Sequence, residues 1–316
     1  MSGKEDRSGR RLAPITRAAL RSLLEQEGLA PLHRLGQHFL VREDLLERIA
    51  DLGEIAPGQV VLEVGPGLGG LTERLLARGA RVVAAERDHA FAKLLPGILG
   101  RPAALHIVEG DVMASKSALA PEVLQRIRHL CAASDGECWK VVSNLPYQIS
   151  SPFIAALPGL VPEGFRRAVL LVQKEVAGVL RAEPGAGDYS PLSFLARVYL
   201  EVRRGPAVPR SAFHPQPRVD SEVVILVAGK AAAPPPDVLL PFVRRLFQGR
   251  RKTLLRTLAA ALPVAGVKED LDLEERRALL ASAGLDERDR IDRVDPFSIV
   301  KLLETIRRRG DTNAGS

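Results

Sequence analysis

The chain has 316 residues, enough for two domains at roughly 150 residues each. Its 46% hydrophobic and 26% charged content excludes a disordered or collagen-like protein, and two cysteines, Cys131 and Cys138, exclude a disulfide framework or a four-ligand zinc site. A net charge of +7 and a pI of about 9.7 point to a polyanionic partner, nucleic acid or an anionic membrane surface, while no uncharged apolar run reaches the roughly 18 residues of a membrane span.

In chain order, residues 1–14 read as a basic tail without the apolar core of a secretory signal, and Glu5 and Asp6 argue against a mitochondrial transit peptide, so a cytoplasmic protein is expected. Thr16 is expected to cap a helix to about Glu27, and a second helix covers about Arg42–Leu52. Short β-branched runs then alternate with helical stretches. Strands are expected at Val60–Val64, Arg81–Ala85, Leu105–Val108, Val141–Ser143 and Ala168–Val172. Between them, helices are expected at Leu71–Arg78, Ala90–Leu99, Ala120–Leu130 and Ser150–Ala156, with another at Lys174–Arg181. Two late strands, about Val198–Val202 and Val223–Val227, lack a full helix between them. This alternation predicts a doubly wound, mostly parallel α/β sheet. Pro234, Pro235 and Pro236 mark a linker, and only helical periodicity follows, at about Val238–Phe247, Lys252–Leu262, Leu273–Ala283 and Pro296–Arg307.

Val60–Val64 runs into Glu63-Val64-Gly65-Pro66-Gly67-Leu68-Gly69-Gly70. Glycines there let the backbone turn sharply and approach a ligand closely ahead of a helix N-terminus. The run fits two templates: G-x-G-x-x-G of dinucleotide enzymes, and E-x-G-x-G-x-G of S-adenosylmethionine-dependent methyltransferases. Glu86 ends the next strand, where a carboxylate can accept from both hydroxyls of a ribose. Gly110-Asp111 follows the third strand, and an acid at that point favours the methyl donor over a dinucleotide.

Asn144-Leu145-Pro146-Tyr147 follows the fourth strand, at the carboxyl edge where open α/β sheets bind ligands. An adenine exocyclic amine is a poor nucleophile because its lone pair is delocalised into the ring. The Asn144 amide oxygen and the Leu145 carbonyl are expected each to accept one N–H, favouring a pyramidal nitrogen. Pro146 removes a competing donor beside that carbonyl. Tyr147 offers a ring face worth roughly 1–3 kcal/mol in stacking. Neither a strong base nor a metal is needed, and no His/Cys/Asp cluster suggests one. Phe213, in Ala212-Phe213-His214-Pro215-Gln216-Pro217, is a candidate second face of an aromatic sandwich around a base drawn out of its stack.

With these motifs the chain resembles the ribosomal RNA adenine N6-dimethyltransferase family, the KsgA type acting on small-subunit RNA. The resemblance also rests on Leu35-Gly36-Gln37-His38-Phe39-Leu40, Val172-Gln173-Lys174-Glu175-Val176, Asp188-Tyr189-Ser190-Pro191-Leu192-Ser193, Phe213–Ser221 and Arg250-Arg251-Lys252-Thr253-Leu254. It implies a Rossmann-like, S-adenosylmethionine-dependent methyltransferase fold over 32–230 with a small all-helical RNA-binding domain over 237–310; the basic extension at 1–31 is extra to the family. It implies dimethylation of two adjacent adenosines near the 3′ end of small-subunit rRNA in an assembling 30S particle. Nothing in the sequence demands more than a monomer, and no membrane partner is expected.

The family's cofactor contacts carry over to His38, Leu40, Gly65, Gly67, Glu86, Asp111 and Asn144, with His38 standing where asparagine is usual. Six cations between 242 and 256, Arg244, Arg245, Arg250, Arg251, Lys252 and Arg256, have no acid among them and suit a phosphate-tracking surface. The related macrolide-resistance methyltransferases of large-subunit RNA are the main alternative reading. An assembly factor acting mainly by binding, and a dehydrogenase, are others.

Overall fold

A computed structural model describes residues 17–28, 37–133, 139–229, 233–267 and 271–314. The basic tail over 1–14, Leu35-Gly36 and Cys138 lie outside the described residues. The elements run α1 (Arg17–Gln26), β1 (Phe39–Leu40), α2 (Glu43–Leu52), β2 (Val60–Val64), α3 (Gly70–Ala77), β3 (Arg81–Glu86), α4 (His89–Ile98) and β4 (Leu105–Glu109). Next come β5 (Met113–Ser115), β6 (Ala118–Leu119), α5 (Pro121–Ala132), β7 (Trp139–Asn144), α6 (Ser150–Ala156), β8 (Phe165–Gln173), α7 (Lys174–Arg181) and α8 (Pro191–Tyr199). Then follow β9 (Leu200–Val208), β10 (Phe213–His214), β11 (Ser221–Ala228), α9 (Pro236–Gln248), α10 (Leu254–Ala261), α11 (Leu273–Ser282) and α12 (Pro296–Ala314).

Seven strands form one sheet in the order β4-β3-β2-β7-β8-β11-β9. β2 pairs in parallel with β3 and β7, and β3 with β4. Every residue of β2 is buried, Glu63 included, the two-sided burial of a parallel central strand. The sheet reverses direction of growth between β2 and β7, so the two βα turns that follow these strands open side by side at the carboxyl edge. Those turns carry the glycine run and the Asn144–Tyr147 tetrad.

The chain divides into two compact units. One takes Met1–Ser150, Arg166–Gln173 and Gly205–Val224; the other takes Ser151–Phe165, Lys174–Arg204 and Ile225–Ser316. The second unit therefore begins well before the proline linker expected to bound it. Tyr189, Phe194 and Val198 share a buried core with Leu239, Phe242, Leu258, Leu302 and Leu303 of the late helices. α8 is fixed locally by a reciprocal cap between Ser190 and Ser193, and α11 by one between Asp272 and Glu275.

Candidate active site

A cavity of about 1160 Å³, measured with its open mouth, lies at the carboxyl ends of β2, β3 and β7. Its wall includes Gly65, Gly67, Glu86, Asp111, His38, Leu40 and Asn144, as well as Leu145, Pro146 and Tyr147. The expected cofactor residues and the tetrad thus share one chamber.

The glycine turn is held by backbone. Gly65 N donates to Ala85 O at 2.9 Å, and Gly67 N donates to Glu86 Oε2 at 3.1 Å. Gly65 and Gly67 both adopt positive φ, +65° and +56°. A Cβ on Gly67 would come within 2.8 Å of Phe39, and one on Gly65 within 3.0 Å of Pro146. These two glycines therefore let the motif around Phe39 and the tetrad close on the loop. Glu86 Oε1 also accepts from Asp88 N at 2.8 Å, while Asp88 caps α4 and takes Gln37 Nε2 at 2.9 Å. Burial pushes the Glu86 carboxyl above its usual range, and the backbone donors of Asp88 and Gly67 oppose that shift. Asp111 is exposed and pairs with Arg87 at 3.4 Å.

Glu63, the first residue of the E-x-G-x-G-x-G run, also lines the cavity. It is 2% exposed, and its Oε2 has no hydrogen-bond partner among the described residues. Burial pushes its carboxyl up to about 8; Thr72 nearby offsets part of this without reaching hydrogen-bond geometry, and the Glu86 charge adds to it.

At the other end, Asn144 Nδ2 donates to the backbone oxygen of His38 at 2.9 Å. That bond orients the amide: its nitrogen is committed, and Oδ1 is left as the acceptor. The Leu145 carbonyl likewise has no partner among the described residues, although Leu145 N is bonded to Leu171 O at 3.2 Å. Ser143 Oγ donates to Val64 O at 2.7 Å and ties the tetrad strand to the glycine strand. Tyr147 shares a hydrogen bond with the buried Ser221 at 2.7 Å, and burial raises its phenol above the ordinary value. His38 Nδ1 donates to Pro215 O at 2.7 Å, and its ring lies 5.4 Å from the Tyr147 ring, tilted by 32°.

Phe213 is not brought to the cavity. Its ring is fully buried, and β10 pairs antiparallel with β1 so that Phe213 lies opposite Leu40. The strand pairing turns the ring inward, and in this structure the ring next to Tyr147 is that of His38. Two contacts had no local signal in the sequence: the Pro215 carbonyl on His38 and the Ser221 hydroxyl on Tyr147 join residues 177 and 74 positions apart.

In the second unit, Arg244, Arg251, Lys252 and Arg256 are exposed and have no side-chain partner among the described residues. Two of the six cations are tied down. Arg245 Nε donates to Ala260 O at 3.1 Å, and Arg250 donates to Gly187 O and to Asp292, both at 3.3 Å. The Thr257 hydroxyl is spent on the Thr253 and Leu254 carbonyls. No helix among the described residues is long and apolar enough to cross a membrane.

The chamber suits a ligand with vicinal hydroxyls, an amine and a positive charge. It offers a buried carboxylate at a strand end, an exposed one after the next strand and an unpartnered carboxyl deeper in.

Comparison with known proteins agrees with this chemistry. The family model described as ribosomal RNA adenine dimethylase matches residues 32–281. A ribosomal RNA small subunit methyltransferase A of Geobacter metallireducens is 36% identical over 282 residues, covering 82% of this chain and 98% of that protein. The protein of that name from Deinococcus radiodurans is 35% identical over 286 residues, covering 85% and 91%. Among solved structures, a dimethyladenosine transferase from Plasmodium falciparum superposes with a TM-score of 0.67 at 26% identity, covering 86% of this chain and 98% of that one. The 23S rRNA methyltransferase ErmE superposes with a TM-score of 0.56 at 25% identity, covering 85% and 99%.

Proposed function

The chain belongs to the ribosomal RNA adenine dimethylase family, and we propose that it dimethylates two adjacent adenosines near the 3′ end of small-subunit rRNA. Membership makes it an S-adenosylmethionine-dependent rRNA adenine dimethyltransferase. In the proposed setting it acts as a monomer in the cytoplasm, on an assembling 30S particle. The choice of the small subunit is supported by the names of relatives that match most of the chain.

The observation that carries the adenine chemistry is the orientation of Asn144. Its amide nitrogen is spent on His38 O, so its oxygen and the unpartnered Leu145 carbonyl stand as two neutral acceptors in the cavity wall. Two acceptors match the two N–H bonds of an adenine amine and draw its lone pair out of conjugation. Pro146 has no N–H to offer in competition. Tyr147, held by Ser221, supplies the face on which the base stacks. His38 holds the segment that carries Leu40 in the wall, and Phe213 supports that segment from behind through β10. S-adenosylmethionine, when bound, supplies an electrophilic methyl group on a sulfonium. Glu86 takes the ribose hydroxyls and Asp111 the adenine amine of that cofactor, with Gly65 and Gly67 bringing the backbone close. Catalysis is then alignment and fixed dipoles. Arg244, Arg251, Lys252 and Arg256 neutralise phosphates along the rRNA, with Arg245 and Arg250 placing the helices that carry them.

The structural likeness to ErmE favours one other reading, methylation of large-subunit RNA. Incubating unmethylated small and large subunits with labelled methyl donor separates the two. Label confined to small-subunit adenosines, as N6-dimethyladenosine, is the expected result. Label on large-subunit RNA alone overturns the assignment.

A further inference from the structure

We propose that α1 is a movable wall of the cavity: Leu20 closes the chamber over the glycine loop, and the helix undocks to admit S-adenosylmethionine and to release S-adenosylhomocysteine. The proposal rests on the reading that this cavity holds S-adenosylmethionine.

α1 precedes residues 32–281, the stretch that the family model matches, so the match assigns it no role. Its position gives it one. Leu20 lines the cavity together with Gly67, Leu68 and Glu86. Leu20 and Leu24 are only 1% and 4% exposed. They share an apolar cluster with Leu68 of the glycine loop and Phe91 of α4, and Phe39 and Val41 pack against it. Phe39 meets Phe91 edge-on, with ring centroids 5.6 Å apart, and is the ring for which Gly67 leaves room. α1 therefore rests on the glycine loop and on the start of α4. Glu86 joins those same two segments through Gly67 N and Asp88 N.

The attachment is of one kind. Among the described side chains, no hydrogen bond or ion pair ties α1 to another element; its polar contacts are internal, Gln26 Nε2 donating to Ser22 at 3.4 Å and Gly28 N to Glu25 O at 3.1 Å. Ala18, Arg21, Ser22, Glu25 and Gln26 are exposed. A helix of ten residues is marginal in water by itself, so α1 away from its leucine sockets loses its helix as well as its place. Such an opening is local, because it breaks no hydrogen bond of the sheet. The Asn144–Tyr147 end has to admit the target base, which leaves the glycine-loop end for cofactor exchange. Docked, Leu20 keeps water from the ligand; undocked, it frees the way out, and covers of this kind govern product release.

Dissociation of labelled S-adenosylhomocysteine from the full chain, into an excess of unlabelled ligand, reads the undocking. Leu24 anchors α1 but does not line the cavity. Leu24→Ala is expected to speed dissociation about tenfold, because loss of one of two anchors populates the undocked helix. Methyl transfer in a single turnover at saturating cofactor stays unchanged in that variant. Leu20→Ala speeds dissociation as well and also weakens equilibrium affinity, since it removes part of the wall. Hydrogen exchange on the unaltered chain gives an independent reading: with ligand at about ten times its Kd, the α1 amides are expected to exchange about tenfold more slowly. An unchanged dissociation rate in Leu24→Ala, or α1 exchange that ignores the ligand, overturns the proposal and leaves the cofactor reading standing. Absence of binding by the unaltered chain overturns the cofactor reading and this proposal together.

Discussion

The glycine-loop end of the cavity gathers three acids, Glu63, Glu86 and Asp111, whereas the Asn144–Tyr147 end is lined by uncharged groups, an amide, a backbone carbonyl, a proline and a phenol. On the proposed reading the first end holds the cofactor, with carboxyl acceptors and tight backbone support. On that reading the second handles an amine whose lone pair must stay available. A carboxylate there would bind the amine strongly in the ground state, and an added N–H donor would compete for its electrons. Neutral acceptors fixed in advance act on the reacting geometry instead. On the proposed reading, binding and chemistry fall to adjoining walls of one chamber, joined by the Ser143–Val64 bond.

The sharpest way to break that contrast is Asn144→Ala. It removes an oriented acceptor, and kcat is expected to fall by roughly 10²–10³-fold, the scale for deleting one preorganised polar group. S-adenosylhomocysteine affinity is expected to change less than tenfold, and subunit binding to persist. Loss of binding in parallel with kcat would merge the two walls into one.

Next in size is Tyr147→Ala, expected to cost roughly 1–3 kcal/mol in binding of the RNA substrate, read as a KM effect. Tyr147→Phe keeps the ring and loses only the Ser221 hydrogen bond, so its cost should stay near 1 kcal/mol. Equal losses for both would assign the work to the hydroxyl. Glu86→Gln probes the glycine-loop end. Cofactor KM should rise about tenfold with kcat at saturation little changed, because a charged acceptor becomes a neutral one.

The contrast was partly legible in the amino-acid sequence, for physical reasons that differ by element. Val60–Val64 is a strand from end to end because a short run dominated by valine, Val60, Val61 and Val64, declares a buried strand. The stretch expected as a strand from Val198 begins instead in the last turn of α8, where Val198 and Tyr199 fit either period. The Ser190–Ser193 cap settles it as helix, and the strand starts at Leu200. The hairpin of β5 and β6 gave no signal, since Met-Ala-Ser and Ala-Leu lack β-branched residues. At the site, the tetrad and glycine run were readable because each is contiguous. The orientation of the Asn144 amide was not, because it depends on a backbone oxygen 106 positions away. Phe213 misled for a related reason: an aromatic on a proline-rich loop reads as an exposed platform, and only its pairing opposite Leu40 shows that it is core. Charge alone likewise could not show that Arg245 and Arg250 also hold protein atoms.

The central claim concerns two acceptors and one amine, and a crystal structure with S-adenosylhomocysteine and adenosine bound tests it most directly. The account predicts the adenosine N6 within about 2.7–3.2 Å of both Asn144 Oδ1 and Leu145 O, with the base against Tyr147. A base bound elsewhere, or a cavity in which either oxygen is turned away from N6, would contradict it.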